Sequence, residues 1–240
     1  MKEREVLALA DEGELKYLLP YDFLDRYMSE AEFDHIFKLA NAIWRHSGNP
    51  AHPHAELVTG RCSNGYIDVL RVLKWTNLCQ IFAEQMAKKI REVYRGPIDW
   101  VIGSDHAGAV FSHSVAIYLR AQHDFTEKGP NKIQIWRRFT IRPGEVVLQA
   151  EEITTDGFTL RAVREGIMAG NPNEVVFAPV AAVLTYRPNV GAELSGIEDS
   201  SIVYFRHYDM RTWNTDECPL CAAGSERLRP KQNWAALTAP

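Results

Sequence analysis

The feature that most constrains the fold is an alternation of short apolar runs with helix-spaced segments between residues 98 and 186. Ile98-Asp99-Trp100-Val101-Ile102 reads as a strand that ends at Gly103-Ser104-Asp105, and helical spacing follows over residues 107–122. Gln134-Ile135-Trp136 is a weak strand, Pro143-Gly144 a turn, and Val146-Val147-Leu148-Gln149-Ala150 a further strand. Leu160, Val163, Ile167 and Met168 mark a helix, residues 175–186 a buried strand, and residues 202–205 another. Such alternation predicts an α/β fold with a central parallel sheet flanked by helices on both faces. Ligands of these sheets bind beyond the carboxyl ends of the strands. The loops after Ile102, Ala150 and Tyr186 are therefore expected to converge on one site.

Upstream, Ser29 and Glu32 have capping-box spacing. Phe33, Ile36, Phe37, Ala40, Ile43 and Trp44 then recur at helical intervals, so one helix is expected to end near residues 47–50. Residues 52–72 are turn-rich with short extended pieces. A second helix fits residues 75–94, with Leu78, Ile81, Phe82, Met86 and Ile90 on one side.

Composition removes several classes of function. Lys plus Arg is 27 and Asp plus Glu is 31, a net charge of −4. That balance disfavours a general nucleic-acid binder, whose affinity comes from neutralising phosphates. The longest apolar run, residues 175–186, is too short to span a bilayer and contains Pro179. Acidic residues interrupt the apolar patch in MKEREVLALADEGELKY, so no signal peptide is expected. Four cysteines are too few for a disulfide scaffold. The expectation is a cytoplasmic protein with no membrane and no nucleic-acid partner.

The segment that carries chemistry is VVLQAEEITTDGFT, residues 146–159. A strand delivers Glu151 and Glu152, and Thr155-Asp156-Gly157-Phe158-Thr159 leads into a helix. Hydroxyls, a flexible glycine and free first-turn amides make an anion cradle suited to phosphate. The paired acids suit sugar hydroxyls or a Mg²⁺ ion accompanying phosphates. The plainer reading, two solvated glutamates and an ordinary helix cap, has equal standing on spacing alone.

The same segment resembles the phosphoribosyl-pyrophosphate (PRPP) signature of type I phosphoribosyltransferases: an apolar strand, two acids, two further residues and a Thr/Gly-rich loop. Three other stretches resemble the orotate phosphoribosyltransferases of that family, in the same order. They are HAELVTGRCSNGY at residues 54–66, GSDHAG at 103–108 and CPLCAAGSERLRPK at 218–231. The resemblance implies a type I phosphoribosyltransferase core over residues 96–210. It also implies a hood formed by residues 1–95 and 211–240, all within one structural domain. The implied activity is Mg²⁺-dependent transfer of the phosphoribosyl group from PRPP to orotate, giving orotidine 5-monophosphate and pyrophosphate. The alternatives are another nucleobase as acceptor, or a non-catalytic PRPP- or nucleotide-binding protein on the same fold. A homodimer is the implied assembly.

By that resemblance, Glu151 and Glu152 face the ribose hydroxyls or the Mg²⁺ shell. Thr155, Asp156, Gly157, Phe158 and Thr159 form the 5-phosphate loop. Gly103, Ser104, Asp105, His106 and Ala107 approach the pyrophosphate. Residues 125–138 correspond to the family's flexible catalytic loop, with Lys128 its leading cation and Lys132 a second. Arg187 and Arg61 are the base-binding candidates, Arg187 offering a fork of donors to an orotate carboxylate.

The chain departs from the family pattern in several places. The acid pair is Glu-Glu, Asp156 stands where a small or neutral residue is usual, and Thr154 replaces an apolar residue. Tyr186 precedes Arg187 where Asp is common, while Val58 and Ala107 replace cations. Each absent charged hydrogen bond to a phosphate would cost roughly 1.5–3 kcal/mol. Cys218-x-x-Cys221 has the spacing of half a zinc site, but Cys62 and Cys79 do not supply a second pair at similar spacing. The spacing thus favours a reduced, packed turn over a metal site there, and a plain loop at His52-Pro53-His54.

Overall fold

The computed structural model describes residues 1–188, 197 and 200–239, apart from the side chain of Lys132. The elements that position the site are α1 (Glu30–Leu39), α2 (Thr76–Val93), β1 (Trp100–Ser104), α3 (Ala107–Leu119), β2 (Gln122–Lys128), β3 (Gln134–Ile135), β4 (Val146–Thr154), α4 (Phe158–Gly170), β5 (Val176–Tyr186) and β6 (Ser201–His207). The strands form one sheet in the order β6-β5-β4-β1-β2-β3. All neighbours are parallel except β2 and β3, which pair antiparallel.

The period of two along the central strands explains the layers. On β1, Val101 joins the large core beneath α2 and α3, while Trp100 and Ile102 join the opposite core beneath α4. On β4, Leu148 and Ala150 face the first core and Val147 the second. A strand buried on both faces reads as a near-continuous apolar run. That is why these runs do not alternate with polar residues. Phe33 and Phe37 of α1 stack at 4.3 Å, and Phe33 also meets Phe82 of α2 at 5.2 Å and Phe205 of β6 at 5.6 Å. This aromatic cluster fastens the N-terminal helices to the sheet.

Several expected boundaries move. Ser29 and Glu32 do form a reciprocal capping box, with each side chain accepting the other's backbone N–H. The helix nevertheless stops at Leu39, because Asn41 adopts a left-handed φ of 48°, a conformation asparagine tolerates better than most residues. Ile43 and Trp44 instead lie in a short strand, Ile43–Arg45, paired antiparallel with Gly65–Ile67. α3 ends at Leu119, where Arg120 turns left-handed at φ 57°, and β2 starts at Gln122. β4 runs on to Thr154 and so includes Glu151 and Glu152.

Residues 125–138, expected as a flexible loop, are largely hairpin. Glu127 pairs with Ile135 and Lys128 with Gln134. Close packing explains this: a Cβ on Gly166 of α4 would lie 2.3 Å from the Gln134 carbonyl oxygen, and one on Gly170 would lie 2.4 Å from that of Trp136. Two helix glycines therefore let α4 rest directly on the β3 backbone.

A second sheet lies beyond the strand ends. Its order is Thr212–Trp213, Cys62–Ser63, His54–Glu56, Arg227–Leu228, which ties residues 54–63 to the C-terminal segment. Among the described residues, no helix is long and apolar enough to cross a membrane.

Candidate active site

Two adjoining cavities open at the carboxyl ends of β1, β4 and β5. The first, about 430 Å³, is walled by the segment from Ile153 to Asp156, Phe158, Thr159, Arg187, Tyr66 and Thr59. The second, about 530 Å³, holds Ser104, Asp105, His106, Ala107, Lys128, Glu152 and Lys231. Tyr66, Ile67, Ile153 and Thr159 line both. The first residues beyond Ile102, Ala150 and Tyr186 converge here as expected, while residues 189–196 of the last loop lie outside the described ones.

Gly157 caps α4 in a left-handed conformation, φ 80°. That turn aims the first-turn amides of the helix at the first cavity, where they lack intrahelical acceptors. Asp156 Oδ1 accepts the Phe158 amide at 3.1 Å and the Thr155 hydroxyl at 3.3 Å. The extra carboxylate therefore acts as a local cap and takes one amide that a bound anion would otherwise have used.

β1 delivers Ser104 beneath Glu151. The Ser104 amide donates to Glu151 Oε1 and its hydroxyl to Oε2, both at 2.8 Å. A Cβ on Gly108 would lie 2.5 Å from Oε2, so the start of α3 closes over this carboxylate because residue 108 is glycine. Glu151 is buried, lines neither cavity, and braces the 104–107 turn. Within that turn His106 takes a strained φ of 64°, a cost of order 1–3 kcal/mol that often marks a ligand-contacting loop. Its exposed ring contacts Asp105 at 3.1 Å.

Glu152 reaches the second cavity, and its Oε2 is enclosed with no hydrogen-bond partner among the described residues. Burial, with repulsion from Glu152 behind it, raises the Glu151 carboxyl well above the usual range. Burial also pushes Glu152 up to about 7, against a pull downward from Lys231. The folded state thus binds these protons more tightly than the unfolded chain does. Their contribution to stability is fully present below pH ~4.5 and is lost as pH rises through ~7. Glu152→Gln is expected to flatten that decline by on the order of 1–3 kcal/mol. Urea unfolding of both proteins at pH 5 and pH 8 measures it, and parallel pH profiles would contradict it.

Arg187, at the end of β5, is 6% exposed. One terminal nitrogen donates to Ser63 Oγ at 3.3 Å and to the Gly65 carbonyl at 3.2 Å. No carboxylate among the described residues pairs with it, and burial lowers its pKa from the ordinary value. Tyr186, the residue before it, packs on Tyr204 and His207 at 5.5 and 5.7 Å. Of the other sequence candidates, Gly103 allows close approach, since a Cβ there would lie 2.6 Å from the Ala150 carbonyl. Arg61 donates to the Thr212 carbonyl at 3.4 Å and lines neither cavity. The Lys132 side chain lies outside the described residues.

Comparison with known proteins decides the family. No family model matches the chain. The orotate phosphoribosyltransferase of Heliobacterium modesticaldum is 30% identical over 190 residues, covering 78% of this chain and 94% of that relative. The chain belongs to the orotate phosphoribosyltransferase family. It is accordingly a transferase. The enzyme of the same name from Desulforamulus reducens is 29% identical over 188 residues, covering 78% of this chain and 93% of that one.

Solved structures agree on the type I phosphoribosyltransferase fold. Orotate phosphoribosyltransferase from Aeropyrum pernix superposes with a TM-score of 0.52 at 16% identity, over 72% of this chain and 91% of that one. Leishmania donovani UMP synthase does so with a TM-score of 0.53 at 14% identity, over 70% of this chain and 34% of that one.

Sequence reasoning missed Thr59, Asp68, Gln134 and Lys231 as wall residues of this phosphoribosyltransferase site. Tyr66 and Lys231 do close the two quoted stretches 54–66 and 218–231.

Proposed function

We propose that this transferase moves the phosphoribosyl group of PRPP to orotate, releasing pyrophosphate, in pyrimidine nucleotide synthesis. The observation that carries the reading is Arg187. A buried guanidinium with no carboxylate partner among the described residues, facing a cavity of about 430 Å³, suits an anionic ligand, and orotate supplies a planar carboxylate suited to a donor fork. The amides around Gly157 and the hydroxyls of Thr155 and Thr159 are matched to a 5-phosphate in that cavity. Ser104 to Ala107, Lys128 and Lys231 are matched to pyrophosphate in the neighbouring one.

The partnerless oxygen of Glu152 suits either a ribose hydroxyl or a hard cation. Mg²⁺, when bound with PRPP, would supply charge neutralisation for the leaving pyrophosphate. The protein's part is positioning and electrostatic stabilisation. Glu152 holds the ribose and offsets positive charge that develops on it. Glu151 and Ser104 keep the 104–107 turn in register. Lys128 and Lys231 replace cations missing at Ala107 and Val58. Incubation with PRPP, Mg²⁺ and orotate is expected to form orotidine 5-monophosphate with one pyrophosphate per nucleotide. Absence of product above the rate without protein would overturn the reading.

A further inference from the structure

The hood sheet gathers three thiols and an imidazole at one point. His54, Cys62, Cys218 and Cys221 each direct one donor atom inward, and the four atoms lie within 4.8 Å of one another. Spacing along the chain hides the group: Cys62 and Cys221 are 159 residues apart. His54 and Cys62 come from adjacent antiparallel strands, and Cys218 and Cys221 from the turn opening the short helix Pro219–Ala222. Cys79, the remaining cysteine, lies elsewhere, beside Ser114. The reduced, packed turn expected from sequence is therefore only half of what is present.

We propose that these four residues bind one structural Zn²⁺ ion that pins the hood. Three donor–donor distances match a tetrahedral ion, and all four donor atoms lie within 4.8 Å. Zn–S bonds of about 2.3 Å and Zn–N bonds of about 2.0 Å place sulfurs ~3.8 Å apart and sulfur and nitrogen ~3.5 Å apart at tetrahedral angles. Here Cys62 Sγ and Cys221 Sγ are 3.6 Å apart, while His54 Nε2 lies 3.4 Å from Cys221 Sγ and 3.7 Å from Cys218 Sγ. A disulfide would need sulfurs ~2.05 Å apart, so these thiols are not bonded to each other.

The histidine is prepared for ligation by its outer partner. The Ser225 hydroxyl gives its one proton to the His52 carbonyl at 2.7 Å. It must therefore accept from His54 Nδ1–H, 2.9 Å away. That bond fixes the tautomer with the proton on Nδ1 and the lone pair on Nε2, pointing at the thiols. An outer partner of this kind is the usual accompaniment of a metal-bound histidine. His54, Cys62 and Cys218 are buried, and three sulfurs with one nitrogen select a soft tetrahedral ion over Mg²⁺. Four protein ligands leave no open position, which marks the ion as structural.

The ion would act on the site through the chain. Arg227–Leu228 pairs with His54–Ala55, and the segment then reaches Lys231 on the wall shared with Glu152. Cross-linking residues 54 and 62 to 218 and 221 closes a very long loop and so fixes that cation.

The test uses the full chain, purified under reducing conditions without chelator. About one zinc per chain is expected by elemental analysis. Co²⁺ alone, added after zinc is stripped, is expected to give the strong visible bands of a tetrahedral thiolate complex. C218S/C221S is expected to retain at least 10-fold less zinc, while C79S keeps its full content. The Co²⁺ spectrum of the unaltered chain keeps the test valid should the double variant fail to fold. A zinc content near zero with no tetrahedral Co²⁺ spectrum would overturn the proposal, and so would undiminished zinc in C218S/C221S.

Discussion

Glu152→Gln is expected to lower kcat for phosphoribosyl transfer by about 10²–10⁴-fold, and to leave the chain at least as stable at pH 8. The substitution keeps shape and removes charge. In the free enzyme Glu152 carries a cost, because its carboxylate is enclosed, partly unbonded and pushed up to about 7 by burial. A charge retained at such a cost points to work done in the reaction, where positive charge grows on the ribose. Glu151→Gln should behave differently. Its carboxylate accepts two hydrogen bonds from Ser104, and the amide can accept only one of them. The loss should therefore appear as disorder of the 104–107 turn and a raised KM for PRPP. Steady-state kinetics with urea unfolding separates the two, and turnover of Glu152→Gln within threefold of the unaltered enzyme would remove Glu152 from the chemistry.

The second large effect is at Arg187. Arg187→Ala should reduce kcat/KM for orotate by about 10²–10³-fold, the scale of losing one partner from a desolvated charged contact, with KM for PRPP changed far less. Arg187→Lys should recover little, since an ammonium keeps the charge but not the fork. Either change also removes the donors to Ser63 and Gly65, so a thermal-unfolding comparison must accompany the kinetics. Equal losses for orotate and uracil would show that Arg187 supports the hood and does not read the base.

What was legible in the sequence was what local patterning controls. The β1, β4 and β5 runs are apolar because both faces are buried, and that signal needs no knowledge of partners. The cradle around Gly157 was legible because a helix start after a strand has a local signature. Long-range pairings were not. The hood strands are two or three residues long, and their partners lie at the far end of the chain, so neither period nor length announced them. Cys218 and Cys221 were legible as half of a metal site, but their completion by His54 and Cys62 was not, for the same reason. Residues 125–138 match a flexible loop only by family resemblance; the weak strand read at residues 134–136 is present at Gln134–Ile135, where Gly166 and Gly170 let α4 pack against it. The adjacent glutamates looked equivalent; the Ser104 clamp on Glu151 and the cavity-facing, unbonded oxygen of Glu152 distinguish them.

The most direct test of the account is the ratio of kcat/KM for orotate to that for uracil, with PRPP and Mg²⁺ saturating. Orotate adds one carboxylate to uracil, and the account assigns that carboxylate to Arg187. A preference for orotate of at least about 10²-fold, the scale of one buried charged hydrogen-bonding contact, is predicted, and it should collapse in Arg187→Ala. Uracil or a purine used as well as orotate would contradict the account.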